Sequence, residues 1–384
     1  MIPYRNFAGF RAFSGPVSPA RTTGPSRLAG PSSFAGVSKF AGLALAAAMT
    51  LGIAGGLAGP AAAQQTLFGG FEPPAGWVPP PLDPTGVQLQ TQELAPGVYA
   101  LISSRPPVDN SGFIVGEKGV LVIDAHINGA MARQIQAAVR AVTDKPILYL
   151  VNTNYHGDHT FGNYAFPAET KIVAHRKTAE AMRDFEQEKA LMLLTVNGNA
   201  AVIDDVRLRL PDVTFEQSLR LDLGGRVVEL HHFGQGNTAG DTVVYVPEAK
   251  VAWTGNLILG AGSIPWAIEG KTRAYLETVA RLAARLDIET IVGGHILVTS
   301  GETLGAYLEY LNWHIQSVQR ALDAGKTLEQ TLASLPLDEA YLPPKDSPLA
   351  GVRPFMQGAH LWNVKRSYQE LKAEGRAGQQ ALVQ

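Results

Sequence analysis

From about Val87 onward, apolar positions fall into short β-rich runs separated by stretches of helical period. The runs "GVYALIS" (97–103), "SGFIVGEKGVLVIDA" (111–125) and "PILYLVNT" (146–153) are rich in β-branched and aromatic residues and predict strands. The second is broken by Glu117, Lys118 and Gly119, which reads as a hairpin turn. Between residues 128 and 144, Ile135, Ala138, Val139 and Val142 keep helical spacing, and Lys145-Pro146 stops the helix. "KIVAH" (171–175) predicts a strand and residues 176–193 a helix. Two hairpins follow, at 214–233 with Gly224-Gly225 at the turn and at 241–256 turning near Pro247-Glu248. An amphipathic helix over 272–287 precedes a short buried strand, "ETIVGGH" (289–295). From Gly301 the chain reads as mostly helical to near Glu374, with a Pro-rich break at 336–348. No internal repeat of fixed period is visible. Hairpins with helices between strands predict a layered α/β protein with helices outside two sheets.

The first 63 residues follow another pattern. They hold five cations (Arg5, Arg11, Arg21, Arg27, Lys39) and no Asp or Glu, followed by an uncharged Ala/Gly-rich run from Ala41 to Ala63. A basic stretch, an apolar stretch and a small-residue exit read as a secretory signal cut after Ala63. An uncleaved anchor is the rival reading, because the run is long enough to span a membrane. Pro60 and the "AAA" exit weigh against it. The chain is expected to be periplasmic or secreted, touching the membrane only through this segment. Residues 64–86 are rich in Pro and Gly and read as a linker or a draped arm. Residues 87–300 form the expected catalytic domain, and 301–384 a helical extension packed on it. The chain has no cysteine, which excludes disulfides and thiolate ligands. Without the five leader cations the formal charge moves from −2 to −7, which argues against a nucleic-acid partner and leaves a small-molecule substrate.

The chemistry concentrates in loops at strand ends. "NYHGDH" (154–159) follows a predicted strand and brings His156, Asp158 and His159 within four residues. Imidazoles and a carboxylate are natural zinc ligands. Gly157 lets the loop curl. "GQGNTAGDTVVY" (234–245) offers Asn237, "TGN" (254–256) offers Asn256, and "GGH" (293–295) places His295 after a buried strand. Taken singly, each has an ordinary turn explanation.

Together with the strand-end acid Asp124, these pieces resemble the metallo-β-lactamase superfamily over roughly residues 93–300. The resemblance implies a four-layer αβ/βα sandwich with a metal site at one edge, here with a C-terminal helical extension. Three positions depart from the family pattern. Asn154 stands for the first histidine of H-x-H-x-D-H, Asn237 for the histidine of G-x-G-H-T, and Asn256 for the bridging aspartate. In two-metal members, the first metal takes the two leading loop histidines and the turn histidine, and only His156 of those remains. The second metal takes the residues matched by Asp158, His159 and His295, all present.

The resemblance therefore implies one Zn2+ on Asp158, His159 and His295, with Asn256 as a weaker fourth ligand and other divalent metals admitted by the same donors. The ion would activate a water for attack. His156 is then a catalytic base or a hydrogen-bond partner for that water, and Asn154 and Asn237 line the vacated site as substrate-binding groups. The Asp-His-Asn-His set resembles that of the chlorothalonil hydrolytic dehalogenase, with Trp266 as an aromatic substrate-binding wall. The expectation is an exported metallo-hydrolase acting by hydrolytic dehalogenation or on esters and lactones. A dinuclear β-lactamase- or lactonase-like hydrolase and a non-catalytic ligand-binding protein are the alternatives.

Overall fold

The structure is a computed structural model that describes residues 67–383, with side chains to residue 375. The expected signal segment, residues 1–63, lies outside the described residues. No helix among them is long and apolar enough to cross a membrane.

Two sheets form the core. The first has seven strands in sequence order: β1 (Leu89–Ala95), β2 (Val98–Ser103), β3 (Ser111–Val115), β4 (Val120–Ile123), β5 (Ile147–Asn152), β6 (Lys171–His175) and β7 (Val213–Phe215). β1 to β4 run as an antiparallel meander, and β4 to β7 are parallel. The second sheet runs β8 (Ser218–Asp222), β9 (Val227–His231), β10 (Val243–Val246), β11 (Val251–Gly255), β12 (Thr290–Gly293) and β13 (Thr299–Ser300). Helix α1 (Gly129–Val142) makes the crossover between the parallel strands β4 and β5.

The layers follow from the period of two along a strand. In β4, Leu121 and Ile123 point into the seam between the sheets, where they meet Leu230, Val244, Trp253 and Val292. Val120 and Val122, on the opposite face, pack with Ile135 and Val139 of α1. The second sheet repeats the arrangement. Tyr245, Ala252 and Ile291 face outward onto Tyr275, Val279 and Leu282 of a later helix (Thr272–Arg285). The result is helix, sheet, sheet, helix, as the sequence predicts.

Three details differ from the sequence reading. β1 was not anticipated, because its sequence is "LQTQELA" and it has no buried residue, so it lacks an apolar alternation. Residues 213–215 do not join the hairpin that follows them but pair with β6 in the first sheet. The helix expected over 176–193 is two, α3 (Arg176–Ala181) and α4 (Phe185–Thr195), after a single turn α2 (Gly157–Thr160) in the histidine loop.

The second-sheet helix (Thr272–Arg285) is α5, and the C-terminal region adds α6 (Thr303–Asp323), α7 (Leu328–Ser334) and α8 (Arg353–Val383). Helices α6 and α8 meet through Val318, Val364, Tyr368 and Leu371. The segment ahead of β1 is an arm pinned by aromatics. Phe68 and Phe71 are buried with ring centroids 4.9 and 4.6 Å from that of Trp362.

Candidate metal centre

The histidine loop leaves β5 at Asn152 and is locked from below. Asp124, at the end of β4, accepts from the Thr153 amide at 2.8 Å and the Thr153 hydroxyl at 2.7 Å. Its second oxygen also lies 2.9 Å from Nδ1 of His159. A carboxylate only accepts, so His159 carries a proton on Nδ1 and turns Nε2 inward. Gly157 is required by close approach, since a Cβ there would stand 2.6 Å from Met192 Cγ and 2.7 Å from the Phe161 ring.

A second loop completes the site from the other sheet. Nδ1 of His295 lies 2.9 Å from the Pro107 carbonyl, which can only accept, so His295 leaves Nε2 free. Gly294 makes room, because a Cβ there would sit 2.9 Å from Asn256 Oδ1. Asn110 ties this loop to the first sheet. Its side chain donates to the carbonyls of Gly293 and Ile296, at 3.0 and 2.6 Å, and accepts from the Ser103 amide.

That tie brings in Asp109, which the sequence reading passed over. Asp109, Asp158, His159 and His295 are all buried and offer ligand atoms within 4.8 Å of one another. Asn256, the expected fourth ligand, is also in place, with Oδ1 3.0 Å from His159 Nε2. Both Asp109 oxygens and one Asp158 oxygen are buried without a hydrogen-bond partner. Buried polar atoms are nearly always paired, so this concentration of orphans fits a bound cation.

The electrostatics agree. Burial and the neighbouring Asp158 charge push the Asp109 carboxyl well above the usual range. Burial works against Asp158 as well, but His159, His295 and His156 hold it down at about 2. Burial opposes charge on His159, yet Asp158 and Asp124 lift it to about 9, so a proton holds Nε2 until a cation displaces it. The cluster attracts positive charge, as two like-charged buried carboxylates must.

His126 is a further omission of the sequence reading. It follows Asp124 after one residue, and both adopt left-handed backbone, with φ of 66° and 57°. Such conformations in non-glycine residues concentrate at functional sites. Its Nδ1 accepts from the Ile127 amide and lies 4.0 Å from Asp109, and its Nε2 has no partner.

The structure assigns His156, Asn154 and Asn237 places of their own. His156 Nδ1 lies 3.2 Å from Glu188 of α4, which also accepts from the Gly157 amide at 2.8 Å. Burial disfavours its charge, but Glu188 raises the pKa to about 9. A protonated ring is a donor, so of the two roles expected for His156, base and hydrogen-bond partner, the structure favours the second. Asn154 is fully buried, its Oδ1 accepting from the His156 amide at 2.8 Å. Asn237 is equally buried and donates to the Trp266 carbonyl at 2.8 Å. Neither is among the residues lining the adjoining cavity, and both brace loops beside it.

That cavity encloses about 580 Å³ of space free of protein atoms, part of it open to solvent. His156, Asp158, Asn256 and His295 form its polar side. Trp266 forms a wall with Ile268 and Leu259. The arm adds Trp77 and Leu82, and the C-terminal region adds Val352 and Phe355.

The family model described as the metallo-beta-lactamase superfamily matches residues 105–295, a span that contains Asp109, Asp158, His159, Asn256 and His295. Among solved structures, a metallo-beta-lactamase from Pontibacter korlensis is 19% identical, with 59% of this chain and 99% of that chain covered and a TM-score of 0.48. The stereoselective inverting sec-alkylsulfatase Pisa1 from Pseudomonas sp. is 15% identical with a TM-score of 0.55, covering 73% of this chain and 50% of that one. This chain thus spans about half the length of the alkylsulfatase, and at such identities the likeness is one of fold. The two-sheet domain has the fold of the metallo-beta-lactamase superfamily, whose members are metallo-hydrolases.

Proposed function

We propose that the chain is an exported hydrolase of small molecules working with one divalent cation, zinc in the first instance. Asp109, Asp158, His159 and His295 would hold it, with Asn256 beside them. The observation carrying this reading is the convergence of two histidines with two buried carboxylates, three of whose oxygens lack hydrogen bonds. Two carboxylates balance the charge of one divalent ion. Asp109 thereby supplies the negative charge absent from the neutral Asn256. A bound zinc contributes Lewis acidity and lowers the pKa of a coordinated water to about 7.

The remaining groups prepare that chemistry. Asp124 and the Pro107 carbonyl fix the tautomers of His159 and His295, which orients both rings. Glu188 keeps a proton on His156, so that ring offers a donor and a positive charge beside Asp158. Apolar walls limit competing water. The reaction class this suits is attack of water on an electrophilic carbon, in an ester or lactone or by displacement of an aryl halogen.

Metal analysis of the purified chain, with turnover of an ester, lactone, β-lactam and haloaromatic panel, tests this. One tightly held metal per chain, lost together with turnover in His295→Ala, is expected. Two tight metals would overturn the single-ion reading. One observation favours a weak second site: His156 Nε2 and Asn237 Oδ1 are also buried without partners. Turnover that climbs with excess zinc would support that alternative. The export part of the proposal expects a mature N-terminus at Gln64 in an extracytoplasmic fraction, read by intact-mass analysis.

A further inference from the structure

We propose that the C-terminal helix α8 is the specificity element of this hydrolase. Through Asn363 it holds Trp266 as the wall of a cavity that accepts uncharged, apolar substrates. The proposal rests on the hydrolase reading for turnover, but not for binding.

The loop carrying Trp266 has no regular structure of its own. Its backbone is captured from α8 on both sides of the indole. Asn363 Oδ1 accepts from the Ala267 amide at 3.0 Å, and Asn363 Nδ2 donates to the Pro265 carbonyl at 2.7 Å. Trp362 Nε1 donates to the Ala267 carbonyl at 3.0 Å, and the Arg366 guanidinium donates to the Ile268 carbonyl. Residues 362, 363 and 366 share one face of a helix. A carboxamide offers an acceptor and a donor from one planar group, which neither Asp nor Leu can. Asn363 and Trp362 are fully buried, so these bonds lie out of water's reach. Phe355, one helix face further back, meets the Trp266 ring edge-on at 5.1 Å.

The same cavity argues the substrate class. Its walls are apolar apart from Thr195 and the side formed by His156, Asp158, Asn256 and His295, and among the described residues no Lys or Arg lines it. His156, the one group there with a raised pKa, is already paired with Glu188. Arg366 is engaged elsewhere, on the Ile268 carbonyl and over the Phe71 ring at 3.8 Å. An anionic group against these walls would lose its hydration without a counter-charge, which opposes its binding. An alkyl or aryl body gains by leaving water for these walls.

The test uses the full chain with its metal. Turnover is measured with p-nitrophenyl acetate, butyrate and octanoate, and with the anionic p-nitrophenyl hemisuccinate. Binding is measured separately, by tryptophan fluorescence, with 1-octanol and octyl sulfate. The wild type is expected to favour octanoate over acetate in kcat/KM, to disfavour the hemisuccinate, and to bind octanol at least about tenfold tighter than octyl sulfate. In Asn363→Leu the KM for octanoate should rise about tenfold, while kcat for acetate and metal content stay within about twofold. Asn363→Asp, which keeps the acceptor and loses the donor, should fall between, and carries the test if the Leu variant does not fold. Equal loss of kcat on all esters, or loss of bound metal, would mean that α8 acts only as a buttress and would overturn the proposal. Tighter binding of octyl sulfate would overturn the substrate class. Esters left untouched while the octanol preference holds would sink the hydrolase reading alone.

Discussion

Asp109 shows what one carboxylate does when its surroundings are prepared for it. It is buried beside Asp158 with neither oxygen hydrogen-bonded, an arrangement that like charges make unfavourable until a cation arrives. Asp109→Asn should therefore weaken metal retention by at least about tenfold in chelator competition. Asn256→Ala, which removes a neutral oxygen, should weaken it less. If the order were reversed, Asn256 and not Asp109 would be the fourth ligand. The residues legible in the sequence were those whose spacing alone signals a site: His156, Asp158 and His159 in one loop, and His295 after two glycines. Asp109, His126 and Glu188 were invisible because tertiary packing makes them partners. Asp109 sits in a Pro-containing turn, and Glu188 on a helix that gives no hint of facing the loop. For Asn154 and Asn237 the sequence disclosed the element but not the neighbours, since a pattern of substitutions says nothing about which way an amide points.

At the scale of elements, the site depends on a clamp between sheets. Asn110 lies at the entrance to β3 and bonds the loop after β12, so one side chain fixes both Asp109 and the carbonyl that orients His295. Asn110→Ala leaves two buried carbonyls and the Ser103 amide unpaired, at about 1–3 kcal/mol each before relaxation. Urea unfolding and chelator competition should shift together in this variant. Stability loss with unchanged metal retention would show that the loops hold their register without it. Strands with apolar alternation were readable, and so were their turns. β1 was not, because an exposed polar edge strand carries no period of two. The pairing of β7 was missed for another reason, since sequence order does not disclose where the chain changes sheets.

Over the whole molecule, buried histidines set a response to acid. Between α6 and α8, His360 accepts from or donates to Tyr310 through Nδ1 at 2.8 Å and donates from Nε2 to the Leu335 carbonyl at 2.9 Å. With Nε2 the donor, Nδ1 accepts from the tyrosine hydroxyl. Burial lowers its pKa to about 4, and burial lowers that of His314, 2.9 Å from Ser367, to about 3. Both are neutral in the fold and protonate freely in the unfolded chain below about 6.5. Above that pH they contribute no difference. As pH falls from 6.5 toward 4, the unfolded state takes up protons that the fold excludes, and stability declines by roughly 1.4 kcal/mol per pH unit for each. Comparing wild type with His360→Gln by urea unfolding at pH 7 and pH 5 isolates one of them. The variant should lose about 2 kcal/mol less over that interval. An equal loss would show that His360 titrates in the fold as it does in water.

Both ends of the described chain converge on the cavity, and that has a consequence for how the protein comes into being. Every side chain that would grip the cation is synthesised by His295, whereas Phe355, Trp362 and Asn363 emerge only later. The arm, made early, must wait for Trp362 before Phe68 and Phe71 can pack against it. Capture of the ion and choice of substrate are thus separate events on the growing polypeptide. A chain clipped before α8 would lack the walls that make the site discriminate.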